Sequence, residues 1–174
     1  GVRILQGVKE VYGYTNDLSK DNLLKFASDL AQSFEGKPLG ITYELKEVPA
    51  KKMSTITRYS KDIANSEKIK FLTLLSDTCY AYSDKIIQVA CNLTDETQEV
   101  TIFNTNGLIR KDVRNHQRIG CQAIAKDGER MESYGDNYGG NFGIDYFERK
   151  DFKTFAEEIA IGALKQLEAR DIPG

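Results

Sequence analysis

One stretch of the chain, residues 100–147, constrains the fold more than any other. Within it, polar residues occupy every second position of an extended run, so in a strand they line one face while Val113 and Ile119 lie on the other. These residues are Arg110, Asp112, Arg114, His116 and Arg118. The pair Asp127-Gly128 then separates two extended runs, and glycine tolerates the positive φ that tight hairpin turns need. The stretch therefore predicts a hairpin whose first strand carries a charged face.

Glycines and aromatic residues alternate just beyond that hairpin turn. The aromatic members are Tyr134, Tyr138, Phe142 and Tyr146, and they are spaced among Gly135, Gly139, Gly140 and Gly143. A run so rich in glycine is typical of loops, and we therefore expect residues 133–147 to form a loop that presents aromatic side chains. Two interpretations stay open: a mobile lid over a binding groove, or a structural loop that docks its own aromatic residues into the domain.

The remaining patterns predict an α+β fold, in which an antiparallel or mixed β-sheet meander packs against two to three α-helices. Apolar residues recur at helical spacing after Ser19, in a second segment ending at Tyr82, and between Asp151 and Ala169. The predicted strands are Val2–Leu5, Glu10–Tyr14, Ile86–Leu93, Glu99–Asn104, Leu108–Ala125 and Glu129–Tyr134. Because Ile86–Leu93 has apolar residues on both faces, we expect it to be central in the sheet, and we expect the long strand to be broken or bent near Asp112.

Composition excludes several classes of protein. The chain has 174 residues and a net charge of −2, which gives no general attraction for nucleic acid or for anionic membranes. No apolar run approaches the ~20 residues of a membrane helix. Three cysteines, Cys79, Cys91 and Cys121, are odd in number and lack CxxC spacing. We expect them to be buried as small hydrophobic residues in a cytoplasmic protein.

The sequence offers no catalytic residue and no metal ligand set. His116 is the single histidine, and it lies among arginines that would oppose the binding of a cation. The chain has no HExxH, GxSxG or P-loop motif. We therefore predict no catalytic and no metal-binding residue.

The arginine-bearing face is the strongest candidate for binding. Arg110, Arg114 and Arg118 could bind the carboxylates of a peptide or of a partner, and the neighbouring aromatic residues Tyr134, Tyr138 and Phe142 complete the predicted set. The alternative is a solvated face whose arginines pair with acidic residues of neighbouring strands, such as Glu99, Glu129 and Glu132.

Three segments, in order, resemble a known family. Residues NTNGLIRKDVRNHQRIGCQAIAKDGERMESYG look like the central region of the TldD/PmbA family, once called modulators of DNA gyrase. The segments GVRILQGVKEVYGYTNDLSKDNL and FAEEIAIGALKQLEARDIPG resemble the hairpin and helix before that region and the helix that closes it. The resemblance implies that residues 1–40 are the end of the family's N-terminal subdomain and that residues 41–174 are its central domain.

The resemblance also implies a function. TldD-type members are cytoplasmic metallopeptidases whose zinc motif, HExxxH with a later cysteine, lies in a C-terminal domain, which we expect to be absent from this chain. PmbA-type members lack the motif and pair with the TldD type. We therefore expect a non-catalytic portion, inactive alone, that shapes a groove for unfolded peptides and contacts a homologous subunit. The alternative is a stand-alone peptide- or protein-binding module that uses the arginine face and the Gly/Tyr loop.

Overall fold

The computed structural model describes residues 1–36, 40–49 and 56–169. The chain divides into two compact units, Gly1–Thr42 and Tyr43–Gly174. The assignment of residues 1–40 to one family subdomain and of 41–174 to another stays a prediction. None of the helices in the described part of the chain is long and apolar enough to cross a membrane.

The first unit is a hairpin with one helix. Strands β1 (Val2–Gln6) and β2 (Lys9–Gly13) pair antiparallel, and helix α1 (Lys20–Ala31) begins after Ser19, as predicted. A side chain at Gly13 would come within 2.7 Å of the ring of Phe26. Glycine at the end of β2 therefore lets the helix approach the hairpin closely.

The second unit contains a mixed four-stranded sheet built around one long strand. Its strands are β3 (Lys46–Glu47), β4 (Ile86–Phe103), β5 (Leu108–Asp127) and β6 (Arg130–Asn141). The central strand is β5, with antiparallel β4 along one edge and with antiparallel β6 and parallel β3 along the other. With the helices described below, this arrangement confirms the predicted α+β class.

Both hairpin turns of the second unit follow from local chemistry. Gly128 has a φ of 60° and follows Asp127, the last residue of β5, so the predicted Asp-Gly reversal is confirmed. Between β4 and β5, Gly107 has a φ of 84°, and the side chain of Asn104 accepts a hydrogen bond from the backbone of Asn106 at 3.0 Å. An asparagine that bonds to the backbone two residues later stabilises a turn of this kind.

Two helices cover one face of the sheet. Helix α2 (Asn65–Tyr82) and helix α3 (Phe152–Glu168) pack against each other and against β4, β5 and β6, and short 3₁₀ helices at Ser60–Asp62 and Ile144–Arg149 complete that layer. Asp151 caps α3 by accepting a hydrogen bond from the backbone N–H of Thr154 at 3.0 Å. The core between helices and sheet is formed by Leu75, Cys79, Ile86, Ile119, Cys121, Ala123, Ala125, Ile144, Phe147, Phe152, Phe155, Ala156, Ile159, Ala160 and Ala163.

The prediction for the first strands of the meander was wrong in two respects. The segments Ile86–Leu93 and Glu99–Asn104 form one continuous strand, β4, and in the described residues this strand pairs only with β5. It is thus an edge strand, and Ile87 is 48% exposed. The ladder between β4 and β5 is regular at Asp112, so β5 is not broken there, and its register shifts instead beside Ile86; a bend at Asp112 stays a prediction.

The prediction of a loop over residues 133–147 was also wrong. Strand β6 continues to Asn141, and a 3₁₀ helix begins at Ile144. Its glycines permit close pairing: a side chain at Gly139 would come within 2.4 Å of the carbonyl oxygen of Gln117, and one at Gly135 within 2.9 Å of that of Cys121. Glycine here allows the backbones of β5 and β6 to lie close together, and it does not mark an irregular segment.

Candidate functional site

The face of the sheet opposite the helices is polar, and we call it the open face. It carries the even-numbered residues of β5 from Arg110 to Gln122 and their neighbours on β4 and β6. Along β5 the alternation is sharp, because Asn115, Gln117 and Ile119 are buried whereas His116 and Arg118 are exposed. The predicted charged face of the strand is confirmed.

The arginines of the open face are partly paired. The Nε atom of Arg114 lies 3.0 Å from a carboxylate oxygen of Asp112, and that of Arg118 donates to the side-chain oxygen of Asn137 at 3.0 Å. Two of the acids expected as partners bind elsewhere: Glu99 pairs with Lys61, and Glu132 pairs with Arg130. The Nε donors of Arg114 and Arg118 are therefore occupied, and Asp112 offsets part of the positive charge of the row.

A shallow hollow of about 380 Å³ lies at the Gln122 end of this face. Asn92 and Asn137 line it, and their side-chain oxygens approach each other over Gly120, where a Cβ would come within 2.6 Å of both. Gln122 and Asp136 also line it. The hollow is thus lined by amide groups, which bind main-chain N–H and C=O groups without regard to side-chain identity.

The predicted aromatic site residues lie on the other face of the sheet. Tyr134 rests on α3, where a side chain at Gly162 would come within 2.4 Å of its ring. Tyr138 and Phe142 form one ring cluster with Tyr146, Phe147 and Phe152, with centroids 4.2–6.2 Å apart. The structure therefore does not bring Tyr134, Tyr138 and Phe142 together with Arg110, Arg114 and Arg118, although a role of either group in binding stays a prediction. The interpretation of residues 133–147 as a mobile lid was wrong, because residues 133–141 are paired in the sheet and a 3₁₀ helix begins at Ile144.

The outer edge of β4 is the second candidate surface. The backbone N–H of Val89 donates to the hydroxyl of Tyr80 at 3.1 Å, so this residue faces away from β5. On β5, the N–H of Asn115 and the carbonyl of Ile109 likewise point away from β4, toward Asn141 and Val48. Because the direction alternates along an antiparallel strand, the odd-numbered residues of β4 present their backbone groups outward.

This edge is long and open. From Cys91 to Phe103 the outward N–H and C=O groups have no strand partner among residues 1–36, 40–49 and 56–169. Thirteen residues of extended backbone span about 40 Å. An unpaired edge of this length is a template for another extended chain.

The three cysteines meet beneath the sheet, a feature that the sequence analysis missed. The sulfur of Cys121 lies 3.3 Å from that of Cys91 and 3.8 Å from that of Cys79. Cys91 is directly opposite Cys121 on the paired strands, and Cys79 reaches them from α2. All three are free thiols.

Comparison with known proteins assigns the chain to a family. Residues 58–167 match the family model described as the PmbA/TldA metallopeptidase central domain. The chain belongs to the PmbA/TldD metallopeptidase family. The resemblance noted in the sequence is thereby confirmed, and the matched residues contain all of β4, β5 and β6.

Two proteins are similar to this PmbA/TldD family member over almost its whole length. The chain is 25% identical to a "Metalloprotease TldD homolog" of Haemophilus influenzae over 181 residues, which cover 99% of the chain and 37% of the relative. A crystal structure of a Thermotoga maritima protein, named as a candidate modulator of a DNA gyrase, superposes with a TM-score of 0.72 at 17% identity and covers 98% of the chain. The chain spans 38% of that protein and 37% of the curated relative.

The zinc that the PmbA/TldD resemblance implies does not fit the described residues. They contain no group of three or more histidine, cysteine or acidic side chains that could hold a metal ion. The three cysteines do not form such a group either. The thiol of Cys79 donates to the carbonyl of Ala156 at 3.4 Å, and the thiol of Cys121 is hydrogen-bonded to both Cys79 and Cys91. We therefore derive no chemical step through a metal from these residues.

Proposed function

We propose that this chain is a non-catalytic, peptide-holding portion of a PmbA/TldD-type metallopeptidase. An extended, unfolded peptide would pair with the outer edge of β4, while zinc would be bound by another part of the protein. The open edge from Cys91 to Phe103 is the observation that carries the proposal. A homologous partner subunit in the cytoplasm would then enclose the peptide from the other side.

Main-chain pairing suits a peptidase that acts on unfolded substrates. Backbone N–H and C=O groups are the same at every residue, so an added strand gains affinity without a requirement for particular side chains. A folded substrate has already used these groups in its own structure and cannot offer them. The edge would therefore select for unfolded chains by their conformation.

The amide-lined hollow and the arginine row lie on the face beside this edge. Asn92 belongs to β4 itself, and Arg118 is the partner of Thr94 on β5. Side chains of a peptide paired with β4 would point alternately toward this face and toward the helix side. The open face would thus contact every second side chain of the peptide. Its polar groups can bind side chains of most types.

A proline at Thr101 tests the role of the edge. Thr101 is exposed, and as an odd-numbered residue it directs its N–H outward, so Thr101→Pro removes one edge donor and keeps the ladder with β5. We expect a labelled unstructured peptide to bind the variant about tenfold more weakly, as follows from losing ~1.4 kcal/mol. Fluorescence anisotropy titration measures the affinity.

The matched control is Thr101→Ala, which removes the same side chain but keeps the N–H group. It should bind the peptide as the unmodified chain does. Equal affinities of the proline and alanine variants, or no binding by the unmodified chain, would contradict the proposal. Binding restricted to acidic peptides and abolished by Arg114→Glu would instead support the stand-alone binding module, with the arginine row as its site.

A further inference from the structure

Cys91 and Cys121 meet the geometric conditions for a bond between their sulfurs. Cys91 follows Val89 by two residues, so its backbone also faces outward, and the pair is of the non-hydrogen-bonded type. In such pairs the Cα atoms are about 4.5 Å apart, within the range that a disulfide spans. The two sulfurs are 3.3 Å apart, and a closure of about 1.2 Å would bring them to bonding distance.

Cys79 is less favourably placed for the same bond. Its sulfur is 3.8 Å from that of Cys121, it is fully buried, and its thiol is held by the carbonyl oxygen of Ala156 at 3.4 Å. Bonding to Cys121 would pull α2 and the sheet together through a close-packed core. Closure between two strands that are already paired requires only side-chain motion.

Access to solvent also distinguishes the three thiols. Cys91 is half-buried on an edge strand, whereas Cys121 is 4% exposed and Cys79 is not exposed at all. The hydrogen bond with Cys121 lowers the pKa of the Cys91 thiol, and the hydrogen bonds to Cys79 and Cys91, together with burial, raise the pKa of Cys121. The pKa of Cys79 is lowered by the same hydrogen-bond partner, but Cys79 is fully buried. Cys91 is therefore the thiol with a lowered pKa that a small oxidant can reach first.

We propose that Cys91 and Cys121 are an oxidation site, which a peroxide converts to a cross-strand disulfide between β4 and β5. The Cys91 sulfur attacks one peroxide oxygen, forms a sulfenic acid and releases the first water. The Cys121 sulfur then attacks the Cys91 sulfur, and the departing hydroxide takes the Cys121 proton as the second water. Two thiols and one hydrogen peroxide thus give one disulfide and two waters.

Peroxide treatment of the folded chain tests this site. After exposure to hydrogen peroxide, alkylation of the remaining thiols and non-reducing digestion, mass spectrometry should find a peptide linking Cys91 to Cys121 within one chain. Titratable thiols should fall from three to one, and a dithiol reductant should restore them. The oxidation rate should rise with pH and level off at a lower pH than for a free cysteine, because the pKa of Cys91 is lowered.

Two variants separate the proposed pair from its neighbour. Cys79→Ala should still form the link, and Cys91→Ala should leave Cys121 reduced. A link between Cys79 and Cys121, a sulfinic acid on Cys91 with Cys121 still free, or three thiols that stay reduced in the folded unmodified chain would each overturn the proposal. Since the linked peptide is mapped in the unmodified chain, the test does not depend on how well a variant folds.

Discussion

Asn115 and Gln117 show how single buried polar residues position the end of β6. Both side-chain amides donate to the carbonyl oxygen of Phe142, at 2.6 and 3.0 Å, and the oxygen of Asn115 accepts from the hydroxyl of Thr97. A buried carbonyl without a partner costs about 1–3 kcal/mol. These two residues therefore hold the backbone at the point where it leaves the sheet, and this positions the ring of Phe142 in the aromatic cluster.

Asp151 makes the stability of α3 depend on pH. Hydrogen bonds from the backbone and side chain of Thr154 lower the pKa of this carboxyl group below its ordinary value. The ionised form is thus favoured in the folded state, so its contribution is present at neutral pH and is lost as the pH falls through the lowered pKa. We expect Asp151→Ala to lower the melting temperature at pH 7 and to have less effect near pH 2.

Asp151→Asn is the control for charge. Asparagine also caps helices, so this variant should keep most of the stability at pH 7 while losing the acid dependence that Asp151 contributes. Thermal unfolding followed by circular dichroism at several pH values measures both effects. An unchanged melting temperature for the alanine variant at pH 7 would show that the cap does not stabilise α3.

Strand β6 depends on glycine in a way that can be measured. The Cβ of a valine at position 139 would lie within 2.4 Å of a backbone oxygen of β5, which cannot move without disturbing the ladder. We expect Gly139→Val to lower the free energy of unfolding by at least about 1–3 kcal/mol, the usual cost of overpacking. Ser133→Val changes an exposed residue on the same face of the same strand and should have little effect. Urea unfolding of the two variants compares them, and equal midpoints would contradict the close approach.

The elements of this fold differ in how far the sequence predicts them. Helices α1, α2 and α3 follow from apolar periodicity, and the hairpin at Gly128 follows from turn chemistry. The first part of β6 was predicted as Glu129–Tyr134, but its continuation to Asn141 could not be, because glycine lowers strand propensity and its advantage here is a close contact with β5 that only the register reveals. The continuity of β4 was hidden for a different reason. Residues 94–99 are polar on both faces of the strand, and Asp95 and Thr97 bind Lys68 and Asn115 on the helix side, so no apolar alternation marks this part as a strand.

The cysteine cluster could have been found once β4 and β5 were recognised as one hairpin. Phe103 is opposite Ile109 at the turn, and twelve residues further along each strand Cys91 is opposite Cys121. The approach of Cys79 from α2 could not be predicted in this way, because the packing of a helix on a sheet is not fixed by any local pattern. The separation of the arginines from the aromatic residues depends on the same register.

At the scale of the whole molecule, the expected absence of a zinc site from this chain is a prediction that can be tested. We expect a zinc titration, followed by competition with a chromophoric chelator, to find no tight stoichiometric site, because the described residues offer no suitable ligand group. Unfolded peptides added with zinc should stay intact. Tight binding that Cys91→Ala abolishes would contradict this expectation and would place the metal on the cysteine cluster.

The hydroxyl of Tyr80 gives the open edge of β4 a fixed end. By accepting the N–H of Val89, it occupies the place where a further residue of an added strand would pair. A peptide paired with β4 would therefore stop pairing at Val89, whatever its sequence. At the other end, the edge continues to Phe103 and the hairpin turn. Every peptide that pairs with this edge, as proposed, would therefore end its pairing at the same place, next to Tyr80.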